Sequence, residues 1–219
     1  MRIFGAWHKN DATKPLLQGL QHLEDEYGHF EESGIAALTE GCIQHQQSKS
    51  LHHLINGFPL PKPLFGHLGI AYTRFINVKN RRRGYTAELY ANQRVAMVYQ
   101  GVLDSIQSGE ELETGYLWDY QTDGDKIFSL LKHYSFQYGL DAKDAMKLTF
   151  ARFKGYFAIM ALFAEEDVLM IASRGCPIAI GIDKNVTYFG SDIKALSCLF
   201  QRVIQLEDGN PIMLHSVRK

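Results

Sequence analysis

Cysteine is scarce in this 219-residue chain, with only Cys42, Cys176 and Cys198, scattered and odd in number. There is no Cys-x-x-Cys pair and no Cys/His ligand spacing, which argues against both a zinc site and a disulfide framework. Each thiol reads first as a small buried apolar residue, and sparse free thiols fit a reducing cytoplasm. Net charge is also nearly absent. At −1, it gives no global attraction to nucleic acid or to an anionic membrane. The longest apolar run, around Tyr156 to Ala164, is far too short to cross a bilayer. The opening MRIFGAWHKND has neither a sustained apolar stretch nor a cleavage signal, so no signal peptide is expected. The expectation is a cytoplasmic protein that does not enter a membrane. Nucleotide-binding α/β folds lack support, because neither GxGxxG nor GxxxxGK[ST] occurs. No HExxH pattern accompanies the adjacent His52 and His53, so neither a metal nor a cofactor is expected. Internal repeats and low-complexity tracts are absent as well.

What is present suits one globular domain spanning residues 1–219, large enough to bury a core without staples. The first residues, IFGAW, read as a short strand. From Lys14 to Tyr27, leucines at 16, 17, 20 and 23 recur at helical spacing, with Pro15 in the first turn. Short apolar strands are expected at 34–38, 68–75, 86–91 and 95–99, and a weak helix at 51–55. The Pro59, Pro61, Pro63 stretch reads as a stiff connection. Helical periodicity returns over 125–138 and over 141–153, the second begun by Asp141 as N-cap. A meander of buried strands follows at 156–163, 168–173, 178–182 and 186–189, then a helix at 193–200 and a strand near 212–214. Elements come in blocks, not as βαβ units. The fold class expected is α+β, with two packed, mainly antiparallel sheets flanked by helices.

The order of short motifs resembles a specific family, the class II glutamine amidotransferases. Ile3 to Ala6, IFGA, is similar to the start of mature family chains, Cys-Gly-Ile-x-Gly. Tyr27-Gly28 and SGIA at Ser33 to Ala36 resemble LEYRGYDSAGIA. GIAYTRF at Gly69 to Phe75 resembles GIAHTRW, and YQGVL at Tyr99 to Leu103 resembles HNGII. TDGD at Thr122 to Asp125 resembles TDTE. GYFA at Gly155 to Ala158, RGCPIAIG at Arg174 to Gly181, Gly190-Ser191-Asp192 and LEDG at Leu206 to Gly209 follow in family order. The resemblance covers almost the whole chain. It implies the four-layer αββα sandwich of N-terminal nucleophile hydrolases, similar to the glutaminase half of glucosamine-fructose-6-phosphate aminotransferase, without the sugar-isomerase half.

In that family an N-terminal cysteine attacks the glutamine amide, and its own α-amino group moves the proton. The aligned register puts Met1 at the cysteine position and Arg2 at the following glycine. A thioether cannot attack an amide, so family-type glutaminase activity is expected to be lost. The family's oxyanion hole implies roles for Gln100, one methylene longer than the usual Asn, and for Gly101, which a plain turn would also explain. The resemblance further implies that Arg74 and Asp123 clamp the α-carboxylate and α-ammonium of L-glutamine or a similar amino acid, with Phe75 as an apolar wall. A structural ion pair would equally explain Arg74, and a first-turn acid would explain Asp123. The family's threonine and histidine after that wall fall at Asn77 and Val78. Lys79, Arg81, Arg82 and Arg83 then form a local basic knot, read as a solvated loop or an anion or partner-docking site. It is too short, and too poor in aromatics, for nucleic acid. If ammonia is transferred, the acceptor site lies on a separate sugar-isomerase or synthase chain. Three functions stay open: a degenerate domain serving as ligand-binding or regulatory partner, an active enzyme with a relocated nucleophile, and a structural subunit whose site is closed, for instance by Arg2 pairing with Asp123.

Overall fold

The computed structural model describes residues 2–56, 64–75, 86–107 and 122–215, and for Phe75 only the backbone. Met1, Asn77, Val78, the basic segment Lys79 to Arg83 and the three-proline stretch lie outside the described residues. The chain runs β1 (Arg2–His8), α1 (Thr13–Tyr27), β2 (Phe30–Thr39), β3 (Cys42–Ser48), α2 (Leu51–Ile55), β4 (Leu68–Phe75), β5 (Thr86–Ala91) and β6 (Val95–Ile106). It continues with α3 (Asp123–Lys132), a π-helical turn (His133–Gln137), α4 (Ala142–Arg152), β7 (Phe153–Phe163), β8 (Val168–Arg174), β9 (Ala179–Asp183), β10 (Val186–Gly190), α5 (Ile193–Leu199), β11 (Val203–Gln205) and β12 (Ile212–His215).

Two antiparallel sheets result. One has seven strands in the order β11-β9-β10-β1-β4-β2-β3, the other five in the order β12-β8-β7-β6-β5. Strand alternation explains how they stack. In β1, Ile3 joins the apolar layer between the sheets, with Tyr72, Val98, Met160 and Leu169. Its neighbours Phe4 and Ala6 face the opposite way, onto Leu16, Leu20 and Leu23 of α1 and Leu196 of α5. In β6, Ala96 and Val98 face the inter-sheet layer, whereas Val95, Met97 and Tyr99 pack on Ile127 and Leu131 of α3 and Met146 of α4. Three apolar layers therefore separate four structural ones, and the αββα sandwich expected from the sequence is the observed architecture.

Helix starts follow their caps. Asp141 accepts from the Asp144 N–H at 2.8 Å, and the Thr122 hydroxyl accepts from the Asp125 N–H at 3.0 Å. Several boundaries differ from the sequence expectation. The helix expected over 125–138 begins at Asp123 and ends in the π-helical turn. The strand expected over 95–99 continues to Ile106. Two strands went unpredicted, β3 and β11. Both are edge strands, and CIQHQQS of β3 buries only Ile43 and Gln46, so it gives little apolar alternation to read.

Candidate functional site

One end of the sandwich gathers the start of β1, the end of β4 and the segment after β10, because Arg2 pairs with Thr73 and Phe4 with Gly190 in register. From the other sheet, the row Ala87, Gln100, Ala158 and Ser173 is aligned across β5, β6, β7 and β8.

Gln100 bridges the two sheets. Its carbonyl oxygen accepts from the Ser191 hydroxyl at 2.7 Å, and Ser191 Oγ in turn accepts from the Ile3 N–H at 3.1 Å. The Ser191 N–H returns a bond to the Ile3 carbonyl at 3.1 Å. On its other side Gln100 Nε2 donates to Cys176 Sγ at 3.4 Å. Gln100 and Cys176 are both buried. Cys176 was read from sequence only as core. Its position in RGCP, within the family-like turn, was the signal that could have placed it beside the site.

Gly101 follows in mid-strand, paired with Thr86 on one side and Phe157 on the other, so the plain-turn explanation is overturned. Its φ is +140°, and a Cβ there would lie 2.3 Å from the Tyr156 carbonyl oxygen and 2.6 Å from Phe157 Cα. Both are backbone atoms that cannot swing aside. Packing of β6 on β7 demands glycine here whatever the chemistry.

Arg2 does not pair with Asp123 as the closed-site reading supposed. It lies on the helix-facing side of β1, alternating with Ile3. Its Nε donates to Asp192 Oδ2 at 2.6 Å, and its guanidinium lies 5.7 Å from the Tyr27 ring centroid. Asp192 also caps α5 by accepting from the Ala195 N–H at 3.1 Å. Burial alone would raise the Asp192 carboxyl, but the Arg2 hydrogen bond, the Ala195 N–H and the Arg2 charge outweigh it and hold the group below its ordinary value.

Arg74 is surrounded by carboxylates. Nη2 donates to Glu32 Oε2 at 2.6 Å, Nε lies 3.6 Å from Glu31 Oε2, and Nη1 lies 4.0 Å from Glu88 Oε1. Two consecutive glutamates can reach it because the β2–β4 register slips at a bulge between Phe30 and Glu32, while Glu32 stays directly opposite Arg74. Glu88 carries the network onward. It accepts from the Tyr90 hydroxyl, which contacts Thr122 Oγ1 at 2.8 Å. Tyr90 titrates well above the usual range through burial and its bond to Glu88, and Tyr72 does so through burial and the Glu32 charge. Asp123, the first residue of α3, accepts from the Leu103 N–H at 2.9 Å. A polar chain through Glu88, Tyr90 and Thr122 thus links Arg74 to the helix start that holds Asp123. The His52 ring and carbonyl contact the local Asn56 amide, within one turn of α2 and its C-cap.

Comparison with known proteins points to the same fold. The chain is 33% identical over 214 residues to glutamine–fructose-6-phosphate aminotransferase [isomerizing] of Bartonella henselae, an alignment covering 95% of this chain and 34% of that protein. Among solved structures, the glutamine phosphoribosylpyrophosphate amidotransferase of B. subtilis superposes with a TM-score of 0.66 at 17% identity, over 100% of this chain and 50% of that one. The fold is that of the class II glutamine amidotransferases. A class II glutamine aminotransferase domain protein from Silicibacter pomeroyi matches at a TM-score of 0.53 and 12% identity, over 98% of this chain and 95% of that one. No protein-family model matches the chain. This amidotransferase-like chain spans about a third of the length of the curated relatives it matches. Among its described residues, no helix is long and apolar enough to cross a membrane.

Proposed function

We propose that this glutaminase-type domain has lost family-type amide hydrolysis and serves as an amino-acid-binding, regulatory partner of a sugar-isomerase or synthase. The observation that carries the first part is the start of β1. Two positions before Ile3 stands Met1, and the residue between them is Arg2, committed to Asp192 at 2.6 Å. Neither position offers a thiol, and the activated nucleophile is the part this chemistry cannot omit. The Gln100 amide, which would have to turn toward an oxyanion, is spent on Ser191 and Cys176. Amino-acid binding draws its support from Arg74 and Asp123, which stand at the family's clamp positions and are linked through Glu88, Tyr90 and Thr122. Phe75 would supply the apolar wall.

Isothermal titration with L-glutamine, run beside an ammonia-release assay, tests this reading. The expected result is a weak, saturable heat with no ammonia. Steady ammonia release would sink the non-hydrolytic part, and absence of any heat at millimolar ligand, in the native chain and in Glu32→Gln alike, would sink the binding part.

One observation favours a second reading, an enzyme with a relocated nucleophile. Cys176 lies 3.4 Å from Gln100 Nε2, and its neighbours Gly175 and Pro177 line a cleft of about 370 Å³ together with Leu206 and Asp208. Against it, the thiol is buried, and the Gln100 amide beside it is neutral and cannot take a proton. Ammonia release that survives in the native chain and vanishes in Cys176→Ser would establish this alternative.

A further inference from the structure

We infer that Glu32 is a built-in competitor for the amino-acid clamp: its carboxylate holds the place on Arg74 that a ligand's α-carboxylate must take, so the site discriminates against carboxylate-bearing ligands until Glu32 is displaced. This rests on the reading of Arg74 as the clamp. The geometry is that of an internal ligand. A charge-assisted contact at 2.6 Å is at the short end for N–H···O⁻ bonds, and Glu32 is the direct cross-strand neighbour of Arg74. Each of the three guanidinium nitrogens has a carboxylate within 4.0 Å, from Glu31, Glu32 or Glu88. An incoming α-carboxylate would be the fourth acid around a single positive charge, and its approach would be repelled as long as all three remain.

Glu32, not Glu31, is the competitor. Glu31 sits at the bulge, 3.6 Å from Nε, and is the more exposed of the two. Glu88 stands at 4.0 Å, beyond hydrogen-bond reach of the guanidinium. Because Glu32 is tethered in the adjacent strand, it competes at the high effective concentration of an intramolecular group, which no free amino acid matches. The consequence is a specificity rule. A ligand with the glutamine side chain and amine but no carboxylate gains nothing from removing Glu32, whereas L-glutamine gains an open guanidinium.

The test compares the native chain with Glu32→Gln, Glu32→Ala and Glu31→Gln by titration calorimetry. The ligands are L-glutamine and 4-aminobutanamide, which is glutamine without its carboxylate. Both Glu32 variants are expected to bind L-glutamine about 10- to 100-fold more tightly, the range of a hydrogen bond to a charged group, and to leave 4-aminobutanamide unchanged. Glu31→Gln is expected to change L-glutamine binding by less than about threefold, in keeping with a longer, more exposed pair. Glu32→Gln keeps the side-chain volume and so keeps the test alive if the alanine variant folds poorly. If the native chain binds L-glutamine and the Glu32 variants bind it no better, the competitor is refuted while the amino-acid site stands. An equal gain in Glu31→Gln refutes it too, since the effect would then be the general acidic field. If L-glutamine binds to none of the four chains, the clamp reading falls and the competitor with it.

Discussion

Breaking the Arg2–Asp192 pair should reveal how firmly the start of β1 is pinned. Asp192 has two duties, the ion pair and the α5 cap, and three variants separate them. Asp192→Ala loses both. Removing an Asp N-cap costs about 1 kcal/mol. Breaking the pair costs about 1–2 kcal/mol, between the surface and buried cases, because Arg2 is a third exposed and Asp192 almost wholly buried. The sum is about 2–3 kcal/mol. Asp192→Asn keeps a capping oxygen and should cost only the pair, about 1–2 kcal/mol. Arg2→Ala should cost a similar amount, since the carboxylate still holds the Ala195 N–H. Urea unfolding of Arg2→Ala, Asp192→Asn and the double variant should give a coupling near 1 kcal/mol. Acid should erase it. The folded Asp192 is held below its ordinary value of 3.8, so its contribution is fully present above that pH and is lost as pH falls through the depressed folded value. The gap between the native chain and Asp192→Asn should therefore be constant near neutrality and close on acidification below 3.8. A coupling within about 0.3 kcal/mol of zero, or Asp192→Asn as damaging as Asp192→Ala, would refute the reasoning.

Two further substitutions probe packing around the site. Gly101→Ala should destabilise by roughly 2–5 kcal/mol, combining a left-handed φ with a Cβ forced onto the Tyr156 and Phe157 backbone. A loss below about 1 kcal/mol in urea unfolding would mean that β6 and β7 separate more easily than the contacts imply. Thr73→Val should leave stability unchanged or raise it by about 1 kcal/mol, a rise of roughly 2–4 °C in Tm for a chain of this size. The reason is that the fully buried Thr73 hydroxyl has no hydrogen-bond partner among the described residues and so has its desolvation cost to lose. A drop of more than about 1 kcal/mol would show that the hydroxyl is satisfied in solution, by water.

The sequence carried the elements whose apolar residues repeat regularly. Leu16, Leu20 and Leu23 fixed α1, and the continuous runs of β7 and β8 fixed the centre of one sheet, buried on both faces. Motif order then singled out Arg74, Gln100, Gly101 and Asp123. Their partners were not legible. Glu31 and Glu32 both reach Arg74 only because a bulge slips the β2–β4 register, and no periodicity reports a bulge in advance. Gln100 meets Cys176 across 76 residues, and Arg2 meets Asp192 across 190, contacts that exist only once strands from distant parts of the chain are aligned. The choice of Asp123 for Arg2 failed for a local reason. Alternation along β1 turns Arg2 toward the helices α1 and α5, away from the inter-sheet face that Ile3 occupies.

The family-like residues divide by what would happen if they changed. At Gly101 a side chain would collide with the neighbouring strand, and at Gly5 a Cβ would press to 3.0 Å on Leu169. Selection on folding alone keeps such positions, so their presence says nothing about hydrolysis. Arg2 and Gln100 differ in kind: each is held by named polar partners, Arg2 by Asp192 and Gln100 by Ser191 and Cys176. Arg74 is the informative case between the two. An unsupported guanidinium left behind by a vanished ligand site would be a burden at 26% exposure, and here three carboxylates have gathered around it. That arrangement fits a resting site held shut by its own side chains. It also locates the difference between a closed site and a dead one in a single contact, Glu32 on Arg74, since a dead site would stay silent toward L-glutamine after that carboxylate is removed and a closed one would not.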